Sequence, residues 1–145
     1  MPNERRLLFR HGALILLISA LLGLVVAVQA PHVAKWRDAH VAGVMTGILI
    51  IAFGALWTDV QLSERGRRAA LTLGLLAAWV GVATNIFGAI VNFPGPASDP
   101  GRQPDVVWQM AIFFTGLAIV VPSTLGSFFL VWKGLWGRKA PLTLI

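Results

Sequence analysis

Residues 40–57 read HVAGVMTGILIIAFGALW, eighteen positions with a single ionisable side chain, His40, at the first of them. About 20 apolar residues in helical form are needed to cross the hydrocarbon of a bilayer. Three further stretches meet that length, roughly residues 8–28, 69–92 and 106–130. The breakers collect between them: Pro31, then Asp59 to Arg68, then Pro94, Pro96, Pro100 and Pro104. Irregular backbone is tolerated there because water or headgroups satisfy it. This pattern predicts an all-α integral membrane protein, a four-transmembrane-helix bundle formed as a single membrane domain over residues 1–145.

The composition agrees. The chain is 57% hydrophobic and 12% charged, with a mean hydropathy of +0.76. A soluble domain carries about 25% charged residues, so this surface is not built to face water. The net charge of +6 sits at the ends of apolar segments. Membrane topology therefore accounts for it, and nucleic acid is not expected as a partner. The absence of cysteine excludes disulfides, thiolate haem ligands, iron–sulfur clusters and cysteine nucleophiles.

Orientation follows from the basic residues. Arg5, Arg6 and Arg10, then Arg65, Arg67 and Arg68, then Lys133, Arg138 and Lys139 fall on one side of a four-span chain, nine of the 12 Lys and Arg. Both termini are therefore expected to be cytoplasmic, in a multi-pass protein of a bacterial-type inner membrane. The first apolar stretch is longer than a signal-peptide core, and Val26 to Ala30 is a weak cleavage-like site, so a retained helix is expected.

The polar positions converge. Thr46 lies six residues below His40, about 9 Å deeper, and Asn85 lies about 10 Å below the end of the third span. Both fall just beneath His40, and the fourth span enters from the same side with Asp105, Trp108 and Gln109. The third span carries a one-face stripe of Gly74, Ala78, Gly81, Asn85, Gly88 and Asn92. Such a seam suits close helix packing, and a buried amide at Asn85 would need a partner. In the second span His40, Gly43 and Gly47 share a face. The glycines match the GxxxG spacing of helix packing, and they also leave room for a flat porphyrin beside an axial histidine.

Neutral imidazole is a common ligand for haem iron, and a boundary histidine serves equally as an interfacial hydrogen-bonding group. His11 sits at the opposite end of the membrane and His32 in a connector, so no two histidines span the chain at one depth. A five-coordinate haem fits this better than a bis-histidine one. Trp36, Trp57, Trp108, Trp132 and Trp136 sit where an aromatic belt places them, while Trp79 lies inside the third span, facing lipid or a cavity. The six acidic residues are all at ends or connectors. No paired carboxylates, GxSxG, HExxH or P-loop occurs, and a proton or cation pathway lacks its carboxylates.

The chain resembles the styrene oxide isomerase family over most of its length. His11-Gly12-Ala13-Leu14-Ile15 is similar to the family's opening of helix one. Trp36-x-x-Ala39-His40-x-x-Gly43, followed by Gly47, is similar to its haem-ligating segment. Trp79 to Phe87, then Asn92-Phe93-Pro94, is similar to its third helix and following loop. The resemblance implies haem b held by His40, with Trp36, Gly43 and Gly47 beside it, near subunit contacts in a homotrimer. It implies ferric iron acting as a Lewis acid on a small apolar aryl epoxide, with C–O cleavage and a 1,2-hydride shift giving an aldehyde. Thr46 stands where the family carries asparagine and Asn85 where it carries tyrosine; this chain has no tyrosine. Thr46 and Asn85 are the expected substrate-orienting residues. The alternative is a haem-binding membrane protein without isomerase activity, a gas-binding or redox subunit. A semi-rigid lid is expected over Phe93–Asp105, from its four prolines.

Overall fold

In the computed structural model, residues 2–28, 31–93 and 107–137 are described, and they form four helices: α1 (Pro2–Ala27), α2 (Val33–Leu56), α3 (Glu64–Ile90) and α4 (Val107–Leu135). All four are long and apolar enough to span a membrane. The chain is an all-helical, multi-pass membrane protein. The proline-rich connector expected to form a lid lies, apart from Phe93, outside the described residues. So do Asp105, Arg102, Arg138, Lys139 and the end of the cleavage-like site.

The helices run beyond the apolar stretches. Only the apolar part has to match the hydrocarbon, and a helix continues into the headgroups because its backbone bonds are internal. His40 therefore lies two turns inside α2 rather than at its start. At most a third of each apolar window is buried, 33% in α2 and less in the others. The remaining side chains face outward, as lipid or a partner requires.

Neighbours in sequence are neighbours in space. α1 packs on α2, α2 on α3 and α3 on α4; α1 meets α3 only lightly, and α1 does not reach α4. The four helices thus form a bundle whose closest backbone contacts join consecutive helices, while α2 and α4 meet through side chains, Phe53 against Phe128. The α1–α2 contact is the closest. A Cβ added at Gly12 would lie 2.9 Å from the Gly47 carbonyl oxygen, and one at Gly47 would lie 3.0 Å from the Gly12 carbonyl oxygen. Here two backbones touch, which only small residues permit. The α3–α4 contact uses the same device, with Gly116 against Thr84 and Gly74 against Ser127. The Ser127 hydroxyl donates to the Ala70 carbonyl across the helices at 3.0 Å.

At the basic end the chain is tied by a partly buried ion pair. Arg67 donates to Glu4 Oε2 from Nε at 3.2 Å and Nη2 at 2.8 Å, and to the Val60 carbonyl at 3.2 Å. The Trp57 indole N–H donates to the same carboxylate oxygen at 3.0 Å, and the guanidinium lies over the Trp57 ring, 5.2 Å from its centroid. Charge pattern alone reads Arg67 as one more topology signal and Trp57 as an interfacial belt residue. Instead both are interior, with Trp57 only 1% exposed. The pair holds α1, α3 and the connector between α2 and α3 together. Ser63 caps α3 by accepting from the Gly66 N–H.

Two basic residues one position apart should therefore differ in their effect on stability. Arg67→Ala leaves the Glu4 carboxylate half-buried without its cation and is expected to cost about 3 kcal/mol. Arg68→Ala loses only an exposed pair with Glu64 and should cost roughly 0.3–0.5 kcal/mol. Unfolding in detergent, followed by far-ultraviolet circular dichroism, measures both. Equal losses would show that the Glu4–Arg67 pair does not hold this end together.

Candidate functional site

His40 faces α1. Its ring is half-buried, and Nδ1 lies 2.7 Å from the Ser19 carbonyl oxygen. A carbonyl only accepts, so a hydrogen bond here requires the hydrogen on Nδ1. In the neutral ring Nε2 then holds the lone pair. This is the arrangement of a metal-binding histidine, whose second nitrogen is anchored by an outer partner. Ser19, which sequence reading missed, is fully buried, and its own hydroxyl donates to the Ile15 carbonyl at 2.7 Å. The available signal was the lone hydroxyl of the first span.

Gly43 and Gly47 do not provide the clearance expected of them. A Cβ at Gly43 would collide with Ser19 Oγ, and Gly47 lies against Leu16 and the Gly12 backbone. Helix α1 of the same chain covers both glycines, so their smallness serves helix packing. Trp36, one turn before His40, is half-buried and packs on the small cluster of Leu22, Ala39 and Ala89. Any flat group on His40 Nε2 must therefore approach beside the α1–α2 seam, not along the glycines.

The second expected grouping does form. Thr46 and Asn85 line one cavity of about 240 Å³ between α2, α3 and α4. Phe53 and Phe128, in edge-to-face contact at 5.1 Å, close it toward the basic end, and Gly81 and Val120 line its walls. The Thr46 hydroxyl donates to the Ala42 carbonyl at 2.8 Å, and the Asn85 amide donates to the Gly81 carbonyl at 2.8 Å. Asn85 thus makes this bond within its own helix and is exposed, not a buried amide. Asn85 also borders a smaller, more polar recess of about 170 Å³ with Lys35 and Asp38 at its rim.

His40 is not among the residues lining that cavity. Six residues at about 100° each place Thr46 some 120° around α2 from His40. Shared depth was legible from the sequence, but shared azimuth was not. Two further polar residues have other roles. Trp79, expected to face lipid or a cavity, donates from its indole N–H to His11 Nδ1 at 3.0 Å. Asn92, placed on the one-face stripe of the third span, lies past the end of α3 with φ 50°. There Phe93 N–H bonds the Gly88 carbonyl and Asn92 N–H the Ala89 carbonyl, a left-handed helix stop that tolerates asparagine.

Among the described residues no three His, Asp or Glu side chains cluster as a metal-ion site. A haem iron requires only one axial imidazole from the protein, and His40, with Nδ1 anchored and Nε2 left as the lone-pair nitrogen, fits that requirement. A family model described as styrene oxide isomerase matches residues 4–136, nearly the whole chain. The chain belongs to the styrene oxide isomerase family. No curated protein and no solved structure matches it. Of this family member's expected site residues, Thr46 and Asn85 share a cavity, while His40 stands with Ser19 on the opposite flank of α2.

Gly43→Ala is expected to destabilise this family member by about 1–3 kcal/mol through overpacking. Ser19→Ala in the same chain should restore part of that, because it removes the atom nearest the new methyl. A thermal-melt double-mutant cycle reads the coupling. Additive effects would mean that Gly43 and Ser19 do not press on each other.

Proposed function

We propose that this family member is a haem b-dependent membrane isomerase that converts a small apolar aryl epoxide into an aldehyde. The family match over residues 4–136 supports isomerase chemistry. The anchored His40 imidazole is the observation that carries the cofactor reading. His40 would hold the haem through Nε2, with Trp36 one turn away on the same helix. When bound, ferric haem supplies a Lewis acid that draws electron density from the epoxide oxygen.

The remaining work falls to the chain. Thr46 and Asn85 stand in a mostly apolar cavity that Thr124 and Ser127 also line, and the free N–H of Asn85 is the donor that would orient a substrate with one oxygen and one ring. Asn85 uses one N–H on Gly81 and keeps a second donor and its carbonyl oxygen. The apolar walls exclude water, which would divert a cationic carbon to a diol. The isomerisation moves a hydride between adjacent carbons and needs no oxidant, reductant or water.

His40 and the Thr46–Asn85 cavity lie about a third of a turn apart on α2. Association of copies, a homotrimer by the family resemblance, is the arrangement that joins them in one site. The basic end lies in the cytoplasm of a cell with a bacterial-type inner membrane, so His40 sits toward the outer face. The same separation of His40 from the cavity favours, as the second reading, a haem protein without isomerase activity.

The visible spectrum and the product decide between these readings. Wild-type protein purified after haem supply is expected to show a Soret band and to release aldehyde from an aryl epoxide. His40→Ala should lose both, and His11→Ala should keep the band. Asn85→Leu should keep the band and lose roughly 10²-fold in kcat/KM, the scale of misoriented substrate. A colourless wild type overturns the haem assignment. A coloured protein that releases no aldehyde supports the second reading.

A further inference from the structure

Beneath the His40 ring lies a glycine of the neighbouring helix. A Cβ added at Gly23 would sit 3.0 Å from His40 Cε1, 3.1 Å from Nδ1 and 3.7 Å from Nε2. The bare Cα of Gly23 is therefore the floor on which the imidazole rests. Gly23 is one turn beyond Ser19 in α1, on the same face, and the carbonyl that His40 bonds is Ser19's. One turn of α1 thus supplies both the hydrogen-bond acceptor and the surface under the ring. Gly43, directly against Ser19 Oγ, fixes the register of that turn relative to α2.

We propose that Gly23 is a positioning residue for His40, and that the Ser19–Gly23 turn holds the imidazole as the Nδ1–H tautomer with its lone pair on Nε2. In water a neutral histidine side chain favours the opposite tautomer, with the hydrogen on Nε2. That form would place two lone pairs against each other, Nδ1 facing the Ser19 oxygen at 2.7 Å. The backbone carbonyl cannot rotate away, because it belongs to a continuous helix. The ring has little room to swing toward α1 while remaining bonded, because the space between it and the Gly23 backbone is too narrow for even one methyl group at ordinary contact distance. A neutral imidazole therefore has one arrangement that satisfies this geometry, and it presents a ligand-ready Nε2 before any metal arrives. Outer partners of this kind raise ligand basicity and set ring orientation.

The position is sensitive to size. At about 3.0 Å an alanine methyl would make the ring give by a few tenths of an ångström. A valine would require the ring to leave its floor and lengthen the bond to Ser19. Ser19→Ala, by contrast, keeps the backbone carbonyl and should leave the imidazole where it is. Gly54 provides the control for packing alone. It lies on the same α1–α2 seam, with Leu8 and Phe9 3.3 Å from an added Cβ, far along the helix from His40.

The full chain, produced without haem and labelled with ¹⁵N at histidine, tests the tautomer directly by NMR in detergent. His40, assigned by the signal lost in His40→Ala, is expected to show a pyrrole-type nitrogen at Nδ1 and a pyridine-type nitrogen at Nε2. The pattern should persist in Ser19→Ala and Gly54→Ala and be lost in Gly23→Val, with Gly23→Ala shifted between them. After haem supply, Gly23→Val should weaken haem retention by about 10- to 100-fold and displace the Soret band, while Gly54→Ala should do neither. Hydrogen on Nε2 in the wild type overturns the proposal, as does an equal effect of Gly54→Ala on the His40 signals. The spectroscopic half rests on the haem reading and the tautomer half does not. A wild type with the expected tautomer and no Soret band would remove the cofactor and leave the positioning role of Gly23 standing.

Discussion

Contact between the backbones of α1 and α2 at Gly12 and Gly47 is the constraint on which the rest of this protein depends. Lipid gives two apolar helices no hydrophobic reason to associate, so close packing and polar satisfaction have to provide it. With the helices at backbone distance, Ser19 reaches Gly43 and its carbonyl comes within 2.7 Å of the His40 ring. A side chain at Gly12, Gly43 or Gly47 would push against backbone or a buried residue, and the histidine would lose its acceptor. The chemistry proposed for His40 therefore begins with three missing methyl groups, none of which touches the ring.

Much of this architecture was legible in the sequence. Four apolar stretches at membrane length fixed the class and number of helices, because the energetic demand of hydrocarbon on a backbone leaves few alternatives. The segment from Trp36 to Gly47 pointed to the family that the match confirms. Depth along a helix was also readable, since the rise per residue is constant, and Thr46 and Asn85 do meet.

What could not be read was which face looks where. Azimuth depends on the partner helix, and the sequence does not say that α1 covers the His40 face while α3 and α4 cover the Thr46 face. The same ignorance misplaced Trp57 and Arg67, whose composition matches interfacial residues but which Glu4, fifty and more positions away, draws inward. Asn92 followed the stripe by spacing yet serves as a backbone stop, because a left-handed residue past a helix end leaves the same three-and-four spacing as one more turn. Gly23 carried no signal at all, since its value lies in a ring that sits seventeen residues later in the chain.

The pairing of consecutive helices has a consequence for biogenesis. Each tight contact joins consecutive helices, α1 with α2 and α3 with α4, and the link between the two pairs is looser. A nascent chain can therefore complete one hairpin, with its glycine seam closed and the Ser19 carbonyl already matched to His40, before the second hairpin has left the ribosome. Local pairing of this kind makes for rapid assembly. It also means that the Glu4–Arg67 bond, which needs α3, acts as a late latch between two units already formed.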